Sequence, residues 1–329
     1  MRKIVGIGNA LLDVLLRLEN DRTLNEMGIV KGAMDLIDES KMKEIQKAQS
    51  GLQRSEAPGG SVCNTMRAMA RLGAEVGYIG KIGNDPNGAF YENEIKKAGV
   101  TPFLVQAEGI SGCSTVLISP DGERTMATFL GPAATLSDEE IPESLLWQYD
   151  CLYLEGYLIA NEKLFLPILK RAKSMGMKVA LDLSNFNIVN SYRDMLKEVI
   201  PAYVHFLFAN ESEAEAYTGL PVPDAVHEMA KEVELAIVTV GKEGVWTKKN
   251  GCIMNVKAPP AQVVDTTGAG DHFAAGFLYA YSVYAHLSNS LSTGLLMAKN
   301  VIETVGAQIP DDRWEEINLK VDNLLGRKA

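Results

Sequence analysis

The sequence predicts an α/β protein of three layers, with helices on both faces of a mostly parallel central sheet and a small β-sheet lid. Three observations carry that prediction. Short β-rich runs alternate with amphipathic helical stretches through most of the 329 residues. Two stretches break this alternation with successive strand-like pieces. A content of 47% hydrophobic and 22% charged residues suits a chain that buries a sizeable core.

The β-rich runs are "KIVGIG" (3–8), "AEVGYIGKIG" (74–83), "CLYLEGYL" (151–158), "KVALDLS" (178–184), "HFLFAN" (205–210) and "LAIVTVG" (235–241). Between them lie "NTMRAMARLG" (64–73), "NGAFYENEIKKAG" (87–99) and "NEKLFLPILKRAKSMG" (161–176), whose apolar residues recur every three to four positions before a closing Gly. That rhythm is the signature of a parallel sheet covered on both sides. The breaks fall at about 10–38 and 101–132, where strand-like pieces are joined by turns such as "GISG" and "PDGE". These two inserts are expected to meet as the lid over a single domain spanning 1–329, since no Pro-, Gly- and Ser-rich linker and no repeat divides the chain.

A net charge of -10 argues against nucleic acid or an anionic membrane as partner, because both require a basic face. Small molecules are the expected ligands. Cys63, Cys113, Cys151 and Cys252 form no CxxC pair, so neither a zinc site nor a disulfide framework is indicated. The apolar start "MRKIVGIG" is too short for a signal peptide and no run reaches membrane-span length, so a cytoplasmic location is expected.

"GIGNALLD" (6–13) begins like the GxGxxG dinucleotide fingerprint, but Leu11 stands where the third Gly is needed and a strand-like run replaces the helix. The same turn would project Asn9 and Asp13 over the sheet edge. Asp13 sits in an apolar run and needs a partner. It reads either as a bidentate acceptor for vicinal sugar hydroxyls or as a turn cap or Arg partner. In "PGGSVCNTMRAMARLG" (58–73), Gly59 and Gly60 permit close backbone approach, Ser61 suits an N-cap and Asn64 falls in the first helical turn. Taken alone, ordinary helix-start chemistry accounts for these residues better.

"FANESEAE" (208–215) puts Asn210 and Glu213 at a strand end, where they would orient a hydrated magnesium or simply favour the helix dipole. "VTVGKEGVW" (238–246) is a strand, a bend holding Thr239, Gly241 and Gly244, and a second strand, which a plain hairpin also explains.

The most specific stretch is "VVDTTGAGDHFAAGF" (263–277). Gly268, Ala269 and Gly270 present amides at a helix start, a site for an anion, and the carboxylate of Asp271 follows directly. Phosphoryl transfer resolves the conflict of charge, because it needs an anion site for the phosphate and an acceptor for the proton of the incoming hydroxyl. An Asp titrating near ~3.9 is a weak base that takes the proton late, a contribution of roughly 10² to 10⁴ in rate. Arg124 in "DGERTMATF" would close over phosphates, or is a solvated turn residue.

In this order, "GGSVCN", "NESE", "VTVGKEG" and "DTTGAGDHFAAGF" resemble the ribokinase-like (PfkB) kinases over almost the whole chain, and "GIGNALLD", "GIVKGAMDLIDE", "DGERTM" and "YLEGYL" resemble its adenosine kinase branch, notably the bacterial members. The resemblance implies a ribokinase-like fold and an ATP- and magnesium-dependent kinase acting on the primary hydroxyl of a ribonucleoside, with adenosine leading. Asp271 would be the base, and Gly268, Ala269 and Gly270 the anion hole. Asn9, Asp13, Gly60 and Asn64 would hold the ribose, and Met34 and Leu36, with Met126, the base pocket. Asn210, Thr239, Gly241 and Gly244 would serve ATP, and Glu213 the magnesium through water. Asp265 and Thr267 would bind a monovalent cation such as K+, completed by carbonyls of "ETVGAQIP" (303–310). His272 would face the cleft wall. The competing expectations are a sugar kinase of the same fold, acting on ribose, fructose or a relative, and a nicotinamide oxidoreductase resting on "GIGNAL" alone. The chain would be a monomer or a homodimer paired through its lid.

Overall fold

The computed structural model describes residues 3–32, 34–48, 54–121, 123–249, 251–283 and 286–327. In chain order the strands are β1 (Ile4–Ile7), β2 (Leu11–Arg17), β3 (Met34–Leu36), β4 (Arg54–Gly59), β5 (Val76–Gly83), β6 (Thr101–Ala107), β7 (Gly112–Ile118), β8 (Arg124–Phe129), β9 (Cys151–Glu155), β10 (Lys178–Asp182), β11 (Phe206–Asn210), β12 (Leu235–Thr239), β13 (Val245–Lys249) and β14 (Cys252–Val256).

Among the described residues these strands form two sheets. The larger has nine strands in the order β14-β13-β12-β11-β10-β9-β1-β5-β6, and the smaller has five in the order β3-β8-β7-β2-β4. From β12 to β6 every pairing in the large sheet is parallel, and β13 and β14 extend it antiparallel. The interior strands are apolar on both faces because helices cover both. Ser61–Arg71, Ala269–Val283, Leu287–Ile302 and Trp314–Leu324 supply one core, and Phe165–Ser174, Arg193–Tyr203, Glu211–Thr218 and Asp224–Met229 supply the other.

Helix Ala269–Val283 is buried without interruption from His272 to Ala280. Phe273, Phe277 and Tyr281, four residues apart, stack in a column, and Phe277 meets Phe208 of the sheet edge-on at 5.5 Å. Each such ring removed from water contributes about 1.5–3 kcal/mol. The helix that carries Asp271 at its first turn is thus fixed by the core rather than by its own propensity.

In the small sheet, alternation divides β2 into two faces. Leu12, Val14 and Leu16 pack with Leu24, Met42 and Ile45, from helices Arg22–Glu26 and Glu39–Ala48. Leu11, Asp13 and Leu15 point to the opposite face. The expected inserts need two corrections. Residues 101–107 are the edge strand of the large sheet, pairing with β5 from Gly77↔Thr101 to Gly83↔Ala107. Residues 54–59, the approach to "GGSVCN", are instead an edge of the small sheet, paired with β2. The run "TPFLVQA" looks the same for either sheet, because β-pattern alone does not say which partner a strand finds. The stretch 13–38 also contains a short helix, Arg22–Glu26, where continuous strand-like pieces are expected. Among the described residues no helix is long and apolar enough to cross a membrane.

Candidate active site

Helix Ala269–Val283 begins directly after Gly268, whose φ of 75° lies in the region that suits glycine and where a Cβ would come within 3.0 Å of Ala307. Ala269 N donates back to Thr266 O and His272 N to Gly268 O. Among the described residues no backbone acceptor outside the helix takes the amides of Gly270 and Asp271. Of the expected Gly268–Gly270 set only the amide of Ala269 is turned back to a carbonyl, and that of Gly268 is open beside those of Gly270 and Asp271. His272 is buried beneath the turn, its Nδ1 3.0 Å from Gly268 O, and burial holds its ring neutral, with a pKa lowered to about 4. It lies inside rather than along a cleft wall.

Asp271 is held by two donors from helix Ser61–Arg71. Ser61 Oγ donates to Oδ1 at 2.7 Å and Asn64 Nδ2 to Oδ2 at 2.9 Å. Thr65 Oγ1 donates to the Asp271 carbonyl at 3.1 Å. Burial pushes the Asp271 pKa up, and the two side-chain bonds oppose that rise. The N-cap of the helix is Gly60, not Ser61, whose hydroxyl reaches Asp271.

Asp13 lies on the small sheet beside this carboxylate. Burial first, and then the charge of Asp271, raise its pKa to about 7, while Arg67 and Arg124 pull it down. Its carboxyl group occupies the space above Gly59, where a Cβ would come within 2.1 Å of Asp13 Cγ. Gly59 is required by a neighbouring side chain, a reason invisible without the pairing of β2 and β4. Arg67 Nη1 donates to Pro58 O at 3.0 Å, bracing the same strand end.

Asn9 faces the interior instead of a ligand. Its backbone N and Nδ2 both donate to Glu155 Oε1, at 2.9 and 2.8 Å, and Val62 N donates to Glu155 Oε2 at 3.2 Å. Glu155, 1% exposed, ties the ends of β1, β9 and helix Ser61–Arg71 together, and burial lifts its pKa to about 7. It is absent from the expected site residues. Its signal was a lone charge closing an apolar strand in "CLYLEG".

Arg124 is engaged with the loop that precedes Gly268 in this arrangement. Its guanidinium donates to Asp265 and to Thr267 Oγ1. Asp265 Oδ1 also accepts from Thr267 N at 3.0 Å and Thr267 Oγ1 at 2.9 Å, and Oδ2 accepts from Gly306 N. The positive charge beside this loop is the guanidinium. Asp265 and Thr267 would have to release Arg124 before their side chains met a monovalent cation.

The remaining polar residues stand at the same end of the parallel strands, where ligands gather in open α/β sheets. Asn210 and Glu213 form a closed capping box. Asn210 N donates to Glu213 Oε2 at 2.8 Å, Asn210 Nδ2 to Oε1 at 2.7 Å, and Glu213 N to Asn210 Oδ1 at 2.9 Å. Burial drives Glu213 and Asp182, at the end of β10, toward the protonated form. Asp182 is a further residue that sequence reading missed. Thr239 pairs with Asn210 across β11 and β12, and Gly241 and Gly244 flank the turn of the β12–β13 hairpin. Buried oxygens without a cation suit a hard divalent ion. Among the described residues no three His, Cys, Asp or Glu side chains form a cage for a metal ion.

On the small sheet the register sets Leu36, Thr128, Ser114 and Asp13 side by side on one face. Ser114 Oγ and Thr128 Oγ1 lie 3.0 Å apart, and Leu36 is 73% exposed. Met34 pairs with Met126 through the backbone, and its side chain lies outside the described residues. Ser114 and Thr128 add polar groups to a face expected to be merely apolar.

The sequence profile of the pfkB family of carbohydrate kinases matches residues 28–314. An adenosine kinase from Dictyostelium discoideum is 27% identical over 333 residues, covering 94% of this chain and 96% of its own. Among solved structures, adenosine kinase from Sinorhizobium meliloti superposes with a TM-score of 0.87 at 32% identity, covering 97% of this chain and 99% of its own. A probable sugar kinase from Rhizobium etli CFN 42 does so with a TM-score of 0.87 at 29% identity, covering 98% and 99%.

Proposed function

The chain belongs to the pfkB family of carbohydrate kinases, and from that premise we propose that it transfers the γ-phosphoryl group of ATP to the primary hydroxyl of a ribonucleoside, most readily adenosine. The observation that carries this reading is the meeting of Asp271, held by Ser61 and Asn64, with Asp13 from the small sheet. One carboxylate stands at a helix start and takes the proton of the attacking hydroxyl. The other presents two oxygens to the vicinal hydroxyls of a ribose.

Asp271 accepts that proton late in the transfer, and burial makes it a better base than a solvated Asp. The open amides of the turn, those of Gly268, Gly270 and Asp271, receive negative charge developing on the phosphate. ATP is the donor in such kinases, and magnesium is generally required. Glu213 and Asp182 would hold the ion through water, and it would offset charge between the carboxylates and the phosphates. Asn210, Thr239, Gly241 and Gly244 line the ATP side of the cleft in this reading. The small sheet closes as a lid to exclude water.

Adenosine is favoured because the Dictyostelium adenosine kinase matches over 94% of this chain. A sugar kinase is the second reading, favoured by the equal superposition of the Rhizobium protein. The test is an ATP-consumption screen of the purified protein against nucleosides and free sugars. Adenosine turning over at least tenfold faster than ribose or fructose supports the first reading, the reverse order supports the second, and no turnover with any of them overturns both.

A further inference from the structure

Gln308 follows helix Leu287–Ile302, on a segment anchored at two neighbouring points. Gly306 N donates to Asp265, and Ala307 packs against Gly268. From there Gln308 Nε2 donates to Asn64 Oδ1 at 2.7 Å, and Asn64 Nδ2 donates to Asp271 Oδ2 at 2.9 Å. An ionised carboxylate only accepts, so this chain has one workable direction: Asn64 must show its NH2 to Asp271 and its carbonyl to Gln308, which must answer with its own NH2. Asn64 is only 5% exposed, so water does not readily replace a lost partner.

We propose that Gln308 is a positioning residue for phosphoryl transfer, holding the Asn64 amide turned so that its NH2 faces Asp271. This rests on the kinase reading above. Without the Gln308 donor, the Asn64 carbonyl is left unpaired and the amide is free to rotate. Asp271 then loses one of its two side-chain donors and part of its fixed direction toward the incoming hydroxyl. The other groups around Asp271 are the carboxyls of Asp13, Glu155 and Asp182 and the hydroxyls of Tyr153 and Tyr157, with Arg67 and Arg124 beside Asp13 and the neutral ring of His272 next in sequence. None of these exchanges a hydrogen bond with the Gln308 amide.

The experiment compares wild type with Gln308→Met, similar in length but unable to donate, and Gln308→Glu, which accepts but does not donate when ionised. For Gln308→Met, kcat falls roughly tenfold, KM for ATP stays within about twofold, and the acid limb of kcat against pH moves up by about one pH unit. Gln308→Glu falls further. In an Asn64→Ala background, Gln308→Met has no additional effect, because the two act in series. Additive losses in that cycle, or an acid limb that does not move, overturn the proposal. The Asp271 carboxyl is also titrated by 13C NMR in substrate-free protein, with Asp271→Asn identifying the signal. An upward move in Gln308→Met shows that Gln308 orients Asn64 toward Asp271 even if wild type phosphorylates nothing, the result that defeats the kinase reading and leaves this positioning contact standing. An unchanged titration overturns the proposal.

Discussion

Ser61 Oγ stands 2.7 Å from Asp271 Oδ1, and Asn64, one helical turn on, stands 2.9 Å from the other oxygen. One helix therefore supplies a donor to each oxygen of a carboxylate on another helix. The direction of these bonds suits the ionised form and gives the first prediction. In Asp271→Asn, Ser61 still donates to the amide oxygen, but two NH2 groups meet at Asn64. Substrate binding should stay within about tenfold of wild type while turnover drops by roughly 10² to 10⁴, read from kcat and equilibrium binding. Near-normal turnover would remove Asp271 from the role of base.

The Asp13 carboxyl fills the space that a Cβ on Gly59 would occupy. Gly59→Ala should therefore act as an indirect Asp13 variant. Both Gly59→Ala and Asp13→Ala are expected to raise KM for the ribosyl substrate by roughly 10- to 100-fold, while KM for ATP changes by less than about threefold. Equal losses for the two substrates would assign Asp13 a structural part instead.

Arg124 joins β8 of the small sheet to the loop before helix Ala269–Val283, through Asp265 and Thr267. Asp265 is nearly buried, so Arg124→Ala leaves a charge without its partner. A loss of about 1–3 kcal/mol in urea unfolding is expected, with Arg124→Ala plus Asp265→Asn recovering part of it. An unchanged midpoint for Arg124→Ala would show that the pair contributes nothing to the folded state. A small stability change with a large rise in KM for ATP would instead return Arg124 to the phosphates.

The parallel sheet was legible because its buried strands are largely apolar runs ending in Gly or a polar residue, a pattern that survives without knowledge of partners. Asp271 was legible for the same local reason, as a turn, an acid and an apolar helix lie within fifteen residues. Relations across sequence distance were not. Residues 101–107 belong to the large sheet rather than the lid, and 54–59 join the small sheet, because edge pairing is decided by tertiary contact. Asn9 stands out in its turn, but its contact with Glu155, 146 positions away, leaves no local trace. Arg124 and Asp265 were both singled out, yet their pairing over 141 positions has no local trace. Ser114, Asp182 and Gln308 are ordinary residues in the sequence, and only the neighbours they meet single them out.

Glu155 supplies the last prediction, through the acidity of a carboxyl that is 1% exposed. Burial raises its pKa from the ordinary 4.5 to about 7, against the pull of Asn9 and Val62. Between those values the folded protein keeps a proton that the unfolded chain has released. The contribution is therefore fully present below about pH 4.5, falls as pH rises toward 7, and levels off above it. At about 1.4 kcal/mol per unit of pKa difference, the group removes roughly 3 kcal/mol of stability across that window. Asp13, also pushed up to about 7, adds a slope of the same sign. Glu155→Gln keeps an acceptor for Asn9 and has no charge to bury, so its stability should fall less than that of wild type between pH 5 and pH 8. Urea unfolding at four pH values, without magnesium or nucleotide, measures the difference. Parallel curves for the two proteins would mean that Glu155 keeps its charge when buried, with Asn9 and Val62 sufficient to hold it.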